Sequence, residues 1–486
     1  MSASRVAVVG GGISGLAAAH RLRRLLGPDA EITVVEQSDR LGGKLRTAEV
    51  GGRAYDVGAE AFLHRRPEAV GLVTELGLTD QVVHPAKVPA SIHAAGDTRP
   101  IPGYTLMGVP ASADAVRQVL SHEGLRRVAA EPDLPPIRLD GADVSVGALL
   151  RERFGPEVDD RLVGPLLGGV YAGRTDVLGL RATMPQLATA LDDGAGSLLA
   201  AAATAIPLPP PPGVTRPPVF GTLRDGLSTL VDRLARHVDV RLGLPVRALV
   251  RLDRGWRLEI GSAAAPRHLD VDGVVLAVPA PAARKLLADV APAASRRYAE
   301  VELASMAVVA LALPPGTELP ERSGVLLAEG ERAAGRGGAP DGVPFTAKAF
   351  TFSSRKWAHP AGEPVLVRGS VGRHGEEHLL QRDDDELVAA VRHDLRELTG
   401  VTAEPIDAVV TRWGGGLLQY GVGHLDLVRG IEDAVTEVPG LAVAGATLHG
   451  VGIPACIATA DAAAARVAAH VIGQDHRVGE SEPWPA

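Results

Sequence analysis

The sequence predicts an α/β protein with α+β insertions, built on a discontinuous, Rossmann-like nucleotide-binding domain, and three stretches carry that prediction. Near the N-terminus, "RVAVVG" is a β-branched run, "GISGLAAAHRLRRLLG" has helical composition and "EITVVE" is a second strand. Together they read as a βαβ opening. In mid-chain, "VDGVVLAVPA" (271–280) is almost wholly apolar, as expected of a strand buried on both faces in a parallel sheet. Near the C-terminus, "GLAVAGATLHGVGIPACIATADAAAARVAAHVIG" reads strand, glycine-rich turn and long alanine-rich helix. Apolar strands at three separated places imply one domain interrupted by insertions, and 486 residues exceed what one compact core holds.

The division expected from these signals assigns 1–86, 219–285 and 438–474 to the nucleotide-binding domain. Residues 87–206 form a helical lobe, with segments such as "SADAVRQVLSHEGLRRVAA" and "SVGALLRERFGPEVDDRLVGPLL". The proline-rich "PLPPPPGVTRPP" (207–218) reads as a stiff surface connection. Residues 286–437 mix strands and helices and form a substrate-binding domain, with a mobile loop expected at "EGERAAGRGGAPDGVP". The polar 475–486 is expected to be a disordered tail.

Composition narrows the function. A net charge of −8 argues against a nucleic-acid partner, since phosphate neutralisation needs a basic face. Aromatics make up 3% of the chain, so Ala, Val and Leu must build the core. With Cys456 the sole cysteine, no intramolecular disulfide is possible, and a reducing, cytoplasmic setting fits. No signal peptide is visible, and no uninterrupted apolar stretch reaches the about 20 residues that span a bilayer. Loose attachment to a membrane surface stays compatible with the sequence, and no metal site is expected.

Chemistry enters through glycine. Gly10-x-Gly12-x-x-Gly15 follows the first strand and opens the first helix. Its glycines allow a tight turn, close approach of backbone to a pyrophosphate, and close helix–strand packing. Gly11, Ile13 and Ser14 complete the loop. Such spacing alone also fits a structural turn, but Glu36 ends the second strand, beside Gln37, where an acidic residue would hold a ribose hydroxyl. "DRLGGKLRT" (39–47) resembles the second glycine motif of FAD-dependent oxidases, with Gly42 and Gly43 passing over the phosphates and Lys44 or Arg40 supplying charge. "YDVGAEAFL" (55–63) resembles the segment beside the isoalloxazine ring in those oxidases, through Gly58, Ala59, Glu60 and Ala61. At the far end, "VAGATLHGVGIPACIATADAAAARV" resembles the closing FAD motif, in which a strand ending at Gly445 and a helix starting after "GVGIP" would bring Val451, Gly452 and Ile453 to the flavin edge. Three such motifs in this order identify FAD as the cofactor, and Val246 joins the cofactor-binding set.

The middle of the chain is more specific. "PLLGGVYAGRTDVLGLRATMPQL", "FGTLRDGLSTL", "AKAFTFSSRKWAH", "RWGGGLLQYGVGH" and "GVGIPACI" together closely resemble the protoporphyrinogen/coproporphyrinogen oxidase family of haem biosynthesis. The resemblance runs from Val6 to about Ile472. It implies an FAD-binding domain of p-hydroxybenzoate-hydroxylase type combined with a mixed-sheet substrate domain and a helical lobe. It further implies oxidation of a porphyrinogen to a porphyrin by three rounds of hydride removal, through FAD to O2, with hydrogen peroxide released. A close-packed surface of small residues at Gly169, Val170 and Gly173, without nucleophile or base, then suits a macrocycle that must lie against the flavin undisturbed. Trp413 is implied to contact FAD, and Tyr420 reads as core.

Porphyrinogens carry propionates, so an acidic protein needs local cations. Arg65, Arg66, Arg355 and Lys356 are the candidates, with Phe352 beside them, although each charge also reads as a solvated surface group. The chain departs from the family at Ala90, where some members hold a substrate carboxylate with arginine, at Leu418 in place of proline, and at Ala455 in place of Asp. Missing hydrophobic docking helices point to the bacterial, coproporphyrin-forming branch, with coproporphyrinogen III as substrate. The alternatives are protoporphyrinogen IX, an FAD-dependent amine oxidase, a carotenoid desaturase, and a non-catalytic flavin-binding scaffold. The resemblance also leaves room for transient contact with downstream haem-pathway enzymes. Oligomeric state is not written in the sequence.

Overall fold

In the computed structural model the described residues are 3–207, 211, 217–236, 238–333, 342–357 and 363–479. Most of the proline-rich connection, the centre of the loop expected to be mobile (334–341) and the end of the polar tail (480–486) therefore lie outside the described residues.

The first strand, β1 (Arg5–Val9), leads through glycines into helix α1 (Ile13–Leu26) and then β2 (Glu31–Val35). Both strands bury their last four residues, because the sheet is covered on both faces. Three distant segments pair with them in parallel: β5 (Asp239–Arg241), β6 (Gly273–Leu276) and β12 (Leu441–Val443). The sheet order is β5-β2-β1-β6-β12. Its chain order, third, second, first, fourth, fifth, is that of doubly wound nucleotide-binding sheets.

Helix α3 (Ile453–Gly479) lies along α1, and Ile457, Ala460, Ala464, Val467 and Val471 join the core over this sheet. Its stretch Ile453–Gly473 is long and apolar enough to cross a membrane, broken only by Asp461, Arg466 and His470. The expectation concerned uninterrupted apolar stretches, and these three residues interrupt this one. Half of that stretch is buried inside the fold, where small alanines let α3 pack closely on α1. Residues 475–479 of the expected tail continue the helix.

A second, seven-stranded sheet carries the other half of the molecule. Its order is β11-β7-β10-β9-β8-β3-β4: Asp407–Gln419, Glu302–Leu313, Val365–Val371, Ala347–Thr351, Gly324–Leu327, Ala90–Ala94 and Asp97–Pro100. All neighbours are antiparallel except β8 and β3. The edge pair β3–β4 comes from the stretch read as helical. Its turn runs through Ala95 and Gly96 at φ 53° and 76°, which closes a tight two-residue hairpin. The remainder of 87–206 is mainly helical, around a core of Leu150, Phe154, Leu162, Leu167 and Leu187.

Candidate cofactor and substrate site

The geometry begins at the end of β1. Gly10 holds φ at +106°, and a Cβ added there would lie 2.4 Å from the Ala277 carbonyl oxygen. A Cβ on Gly15 would lie 1.8 Å from Gly10 O, so only glycine lets α1 approach the strand this closely. Gly12 differs. A Cβ there meets nothing closer than Gly43 Cα at 4.0 Å, so it faces open space between two glycine loops. The loops are tied together, since Gly42 N–H donates to Gly11 O at 2.8 Å. Gly12 is also the N-cap of α1 and offers no side-chain cap, which leaves backbone N–H groups aimed at that space.

Glu36 is half-buried at the end of β2. Its Oε2 accepts Gly11 N–H at 2.6 Å, and its Oε1 accepts the Ser38 N–H and hydroxyl at 2.9 and 2.8 Å. This carboxylate is fixed beside the glycine cradle, the position from which it would hold a ribose hydroxyl. Gln37 is exposed next to it, and Val246 opens the strand Val246–Arg251, just after Leu244 N–H donates to Glu36 O.

The second glycine loop meets the 57–61 segment. Ala59 N–H donates to Lys44 O at 3.0 Å, and a Cβ on Gly58 would stand 2.0 Å from that oxygen. Trp413 Nε1 donates to Val57 O at 2.9 Å, with its ring edge against Gly58. Trp413 is aimed there by a bulge: Gly414–Gly416 of β11 face only Ser305 of β7, whose hydroxyl accepts Gly415 N–H. Lys44 is open to solvent, yet the protein atoms packed around it draw its pKa below the usual lysine range. The buried Cys456, near the start of α3, donates its Sγ–H to Gly450 O at 4.0 Å. Arg368 Nη2 donates to Gly58 O at 2.9 Å, and Arg368 and Lys356 together hold Glu60 below the ordinary carboxylate range despite burial. Ala61 follows, half-buried.

The third motif completes the cleft. After β12 the chain turns at Gly445, where φ is +127° and the site of an added Cβ is 3.8 Å from Ser14 Oγ. The Tyr420 hydroxyl donates to Ala446 O, and His424 Nε2 lies 3.2 Å from Leu448 O. Those two rings stack at 3.9 Å, which fixes the loop that carries Val451 and Gly452 to Ile453, the first residue of α3. Ala455 lies where the loop is tightest, since a Cβ on Gly450 would stand 2.7 Å from its Cβ.

Against this loop stands α2 (Gly164–Tyr171), which exposes Gly169 and Val170 and buries Leu167, Gly168 and Tyr171. Tyr171 packs on Tyr420 at 5.5 Å, and Ala446 and Val451 pack against the same core cluster. The helix ends at Ala172 in the left-handed region, φ 51°. A Cβ on Gly173 would strike Gln419 Oε1 at 2.2 Å. The helix that carries Gly169 and Val170 therefore packs, through Tyr171 and Tyr420, beside the loop of the third glycine motif.

Three expected pocket residues have their partners elsewhere, and a fourth, Arg65, faces solvent. Phe352 is fully buried in the core formed with Leu387 and Val391, because it closes β9 against the helix Asp384–Thr399. Arg355 donates to Leu319 O at 2.8 Å, Arg66 is committed to Glu68 at the start of the next helix, and Arg65 is exposed. Lys356, by contrast, is drawn in by Glu60 and lies over the Phe220 and Trp357 rings. Arg368 and Gln419 escape the sequence reading; each meets the site across long sequence separation, with no local pattern to mark it. A separate open cavity of about 560 Å³, lined in part by Met306, Arg382, Asp384 and Arg412, contains none of the residues expected at the site.

Comparison with known proteins agrees with this geometry. The family model described as flavin containing amine oxidoreductase matches residues 13–468. The chain is 43% identical over 463 residues to a coproporphyrinogen III oxidase of Mycobacterium tuberculosis, covering 95% of this chain and 96% of that protein. It is 32% identical to one of Bacillus subtilis, covering 93% and 95%. A crystal structure from Exiguobacterium sp. 255-15, described as a protoporphyrinogen oxidase, superposes with a TM-score of 0.82 at 32% identity, over 96% of this chain and 99% of that one. Putrescine oxidase shares the fold at a TM-score of 0.68 and 19% identity, over 97% and 100%. The chain belongs to the flavin-containing amine oxidoreductase family and, within it, to the coproporphyrinogen III oxidases.

Proposed function

We propose that this chain is an FAD-dependent oxidase that converts coproporphyrinogen III to coproporphyrin III with O2 as acceptor. The observation that carries the reading is that α2, with Gly169 and Val170 exposed, packs through Tyr171 on Tyr420, the residue that holds the third-motif loop at Ala446. The residues fit FAD: Gly12 leaves room for a phosphate, Glu36 stands ready for a ribose, and Lys44 brings positive charge into the cleft. Bound FAD would supply the two-electron acceptance and the delivery of those electrons to O2.

The chain's own residues bind, orient and shield. Gly10 and Gly15 hold α1 close enough for its amides to meet the phosphates. Gly58, pinned between Lys44 O, Arg368 and Trp413, presents backbone without side chain to the ring. Gly169 and Val170 offer the macrocycle a surface that neither donates nor accepts protons. Lys356, held at the cleft by Glu60, is the propionate partner favoured by position over Arg66 and Arg355. The expected division into domains and the p-hydroxybenzoate-hydroxylase subtype remain part of this proposal. The parallel strand order supports them.

The test is anaerobic: coproporphyrinogen III should bleach the 450 nm-region flavin band of the purified holoenzyme, and admitted air should restore it with porphyrin fluorescence. Bleaching by amines instead, or by no porphyrinogen, overturns the reading.

A further inference from the structure

Lysine is almost never fully buried without a partner or a task. Lys348, in β9, is 4% exposed. In an alternating strand its buried neighbour Ala347 would turn it outward, yet both face inward. The cause is a bulge: Ala347 pairs with Val371 and Ala349 with Ser370, so Lys348 is the extra residue. Bulges of this kind re-aim a side chain. Asp394 fixes this one, accepting the Thr346 and Ala347 N–H groups at 2.8 and 2.7 Å.

The bulge aims Lys348 at α2. Its Nζ donates to Gly168 O at 3.3 Å, one residue before the exposed Gly169–Val170 face. Two further carbonyls at the same helix end are held from β11 and from the loop that follows β10. Gln419 Nε2 donates to Tyr171 O and His374 N–H donates to Ala172 O, both at 2.7 Å. The end of α2 is thus seated on the sheet through three anchors, at Gly168, Tyr171 and Ala172, which matters because its C-cap, Ala172, holds a left-handed conformation that alanine resists. A cation there also suits the negative end of the helix.

We propose that Lys348 is a positioning residue for substrate, setting the height and tilt of the Gly169–Val170 face relative to the flavin cleft. This rests on the reading that α2 carries the porphyrinogen. Burial, then Arg373, draws the Lys348 pKa down to about 7, while Glu376 opposes them. Its protonation, and with it the strength of the bond to Gly168, therefore changes near neutral pH.

The experiment compares flavin-saturated wild type, Lys348→Met and Lys348→Gln by steady-state oxidation of coproporphyrinogen III between pH 6 and 8.5. Lys348→Met, which keeps the volume and loses the donor, should raise KM about tenfold while kcat changes less than about threefold. Lys348→Gln, which keeps a donor, should recover part of that loss. Wild-type KM should rise as pH passes through about 7, and the variants should lose that step. An unchanged KM in Lys348→Met overturns the proposal, as does equal loss of flavin and activity in both variants, which would mark a role in folding alone. If wild type does not oxidise coproporphyrinogen III at all, the functional reading falls first, and this result is distinct from either of those.

Discussion

The two halves of the site are built by opposite means. On the cofactor side the work is done by backbone: Gly10, Gly15 and Gly58 lie so close to neighbouring carbonyls that a Cβ would clash, while Gly12 and Gly43 face each other across open space. At α2, the side proposed for substrate, it is done by side chains reaching across the fold, Lys348 to Gly168 over 180 residues and Gln419 to Tyr171 over 248. Backbone sites are written in short, fixed spacings. Side-chain sites of this kind are written in tertiary distances.

The comparison can be broken first at Gly15. Gly15→Ala drives a Cβ into Gly10 O, so this variant should purify without flavin, and Gly12→Asp should do the same by placing a carboxylate where the phosphate would lie. A yellow, active protein in either case would refute the backbone half. Next, Lys356→Glu sets two carboxylates side by side at Glu60, and KM should rise about tenfold or more with a smaller change in kcat. Arg355→Glu, by contrast, should leave KM within about twofold, since Arg355 is spent on Leu319 O. Equal effects from both would mean that position in the fold does not separate them.

The smallest effect expected is on stability. Burial raises the Asp56 pKa from 3.8 to about 6, although Thr47 and Leu227 N–H hold it back. The folded state therefore keeps its proton longer than the unfolded chain, and stability falls as pH rises through that window. Asp56→Asn lacks this loss, so its melting temperature should gain on wild type between about pH 4 and 6. A difference that stays flat with pH would contradict the burial of this carboxyl.

Much of the cofactor half is legible in the sequence. β1, β2, β6 and β12 coincide with quoted apolar runs, and every glycine that the structure makes obligatory in the first motif sits in the Gly10-x-Gly12-x-x-Gly15 spacing. The edge hairpin β3–β4 hid in a helical-looking region because Ala95 is a poor sign of a left-handed turn. Phe352 misled because an aromatic beside "SSRKW" gives no hint of which face it takes. Lys348 was silent for a physical reason: in "TAKAFTF" a lone lysine reads as the outward position of a strand, and only the bulge reverses it.

The parallel sheet has one consequence for the protein's birth. Its five strands emerge from the ribosome between residue 5 and residue 443, and the helix that closes the cleft comes last. At about 5–20 residues per second, β1 waits roughly 20 to 90 s for β12 to be made. Closure of the cleft around a flavin therefore follows synthesis of the third motif, and a chain that stops before β12 leaves β6 as an unguarded sheet edge.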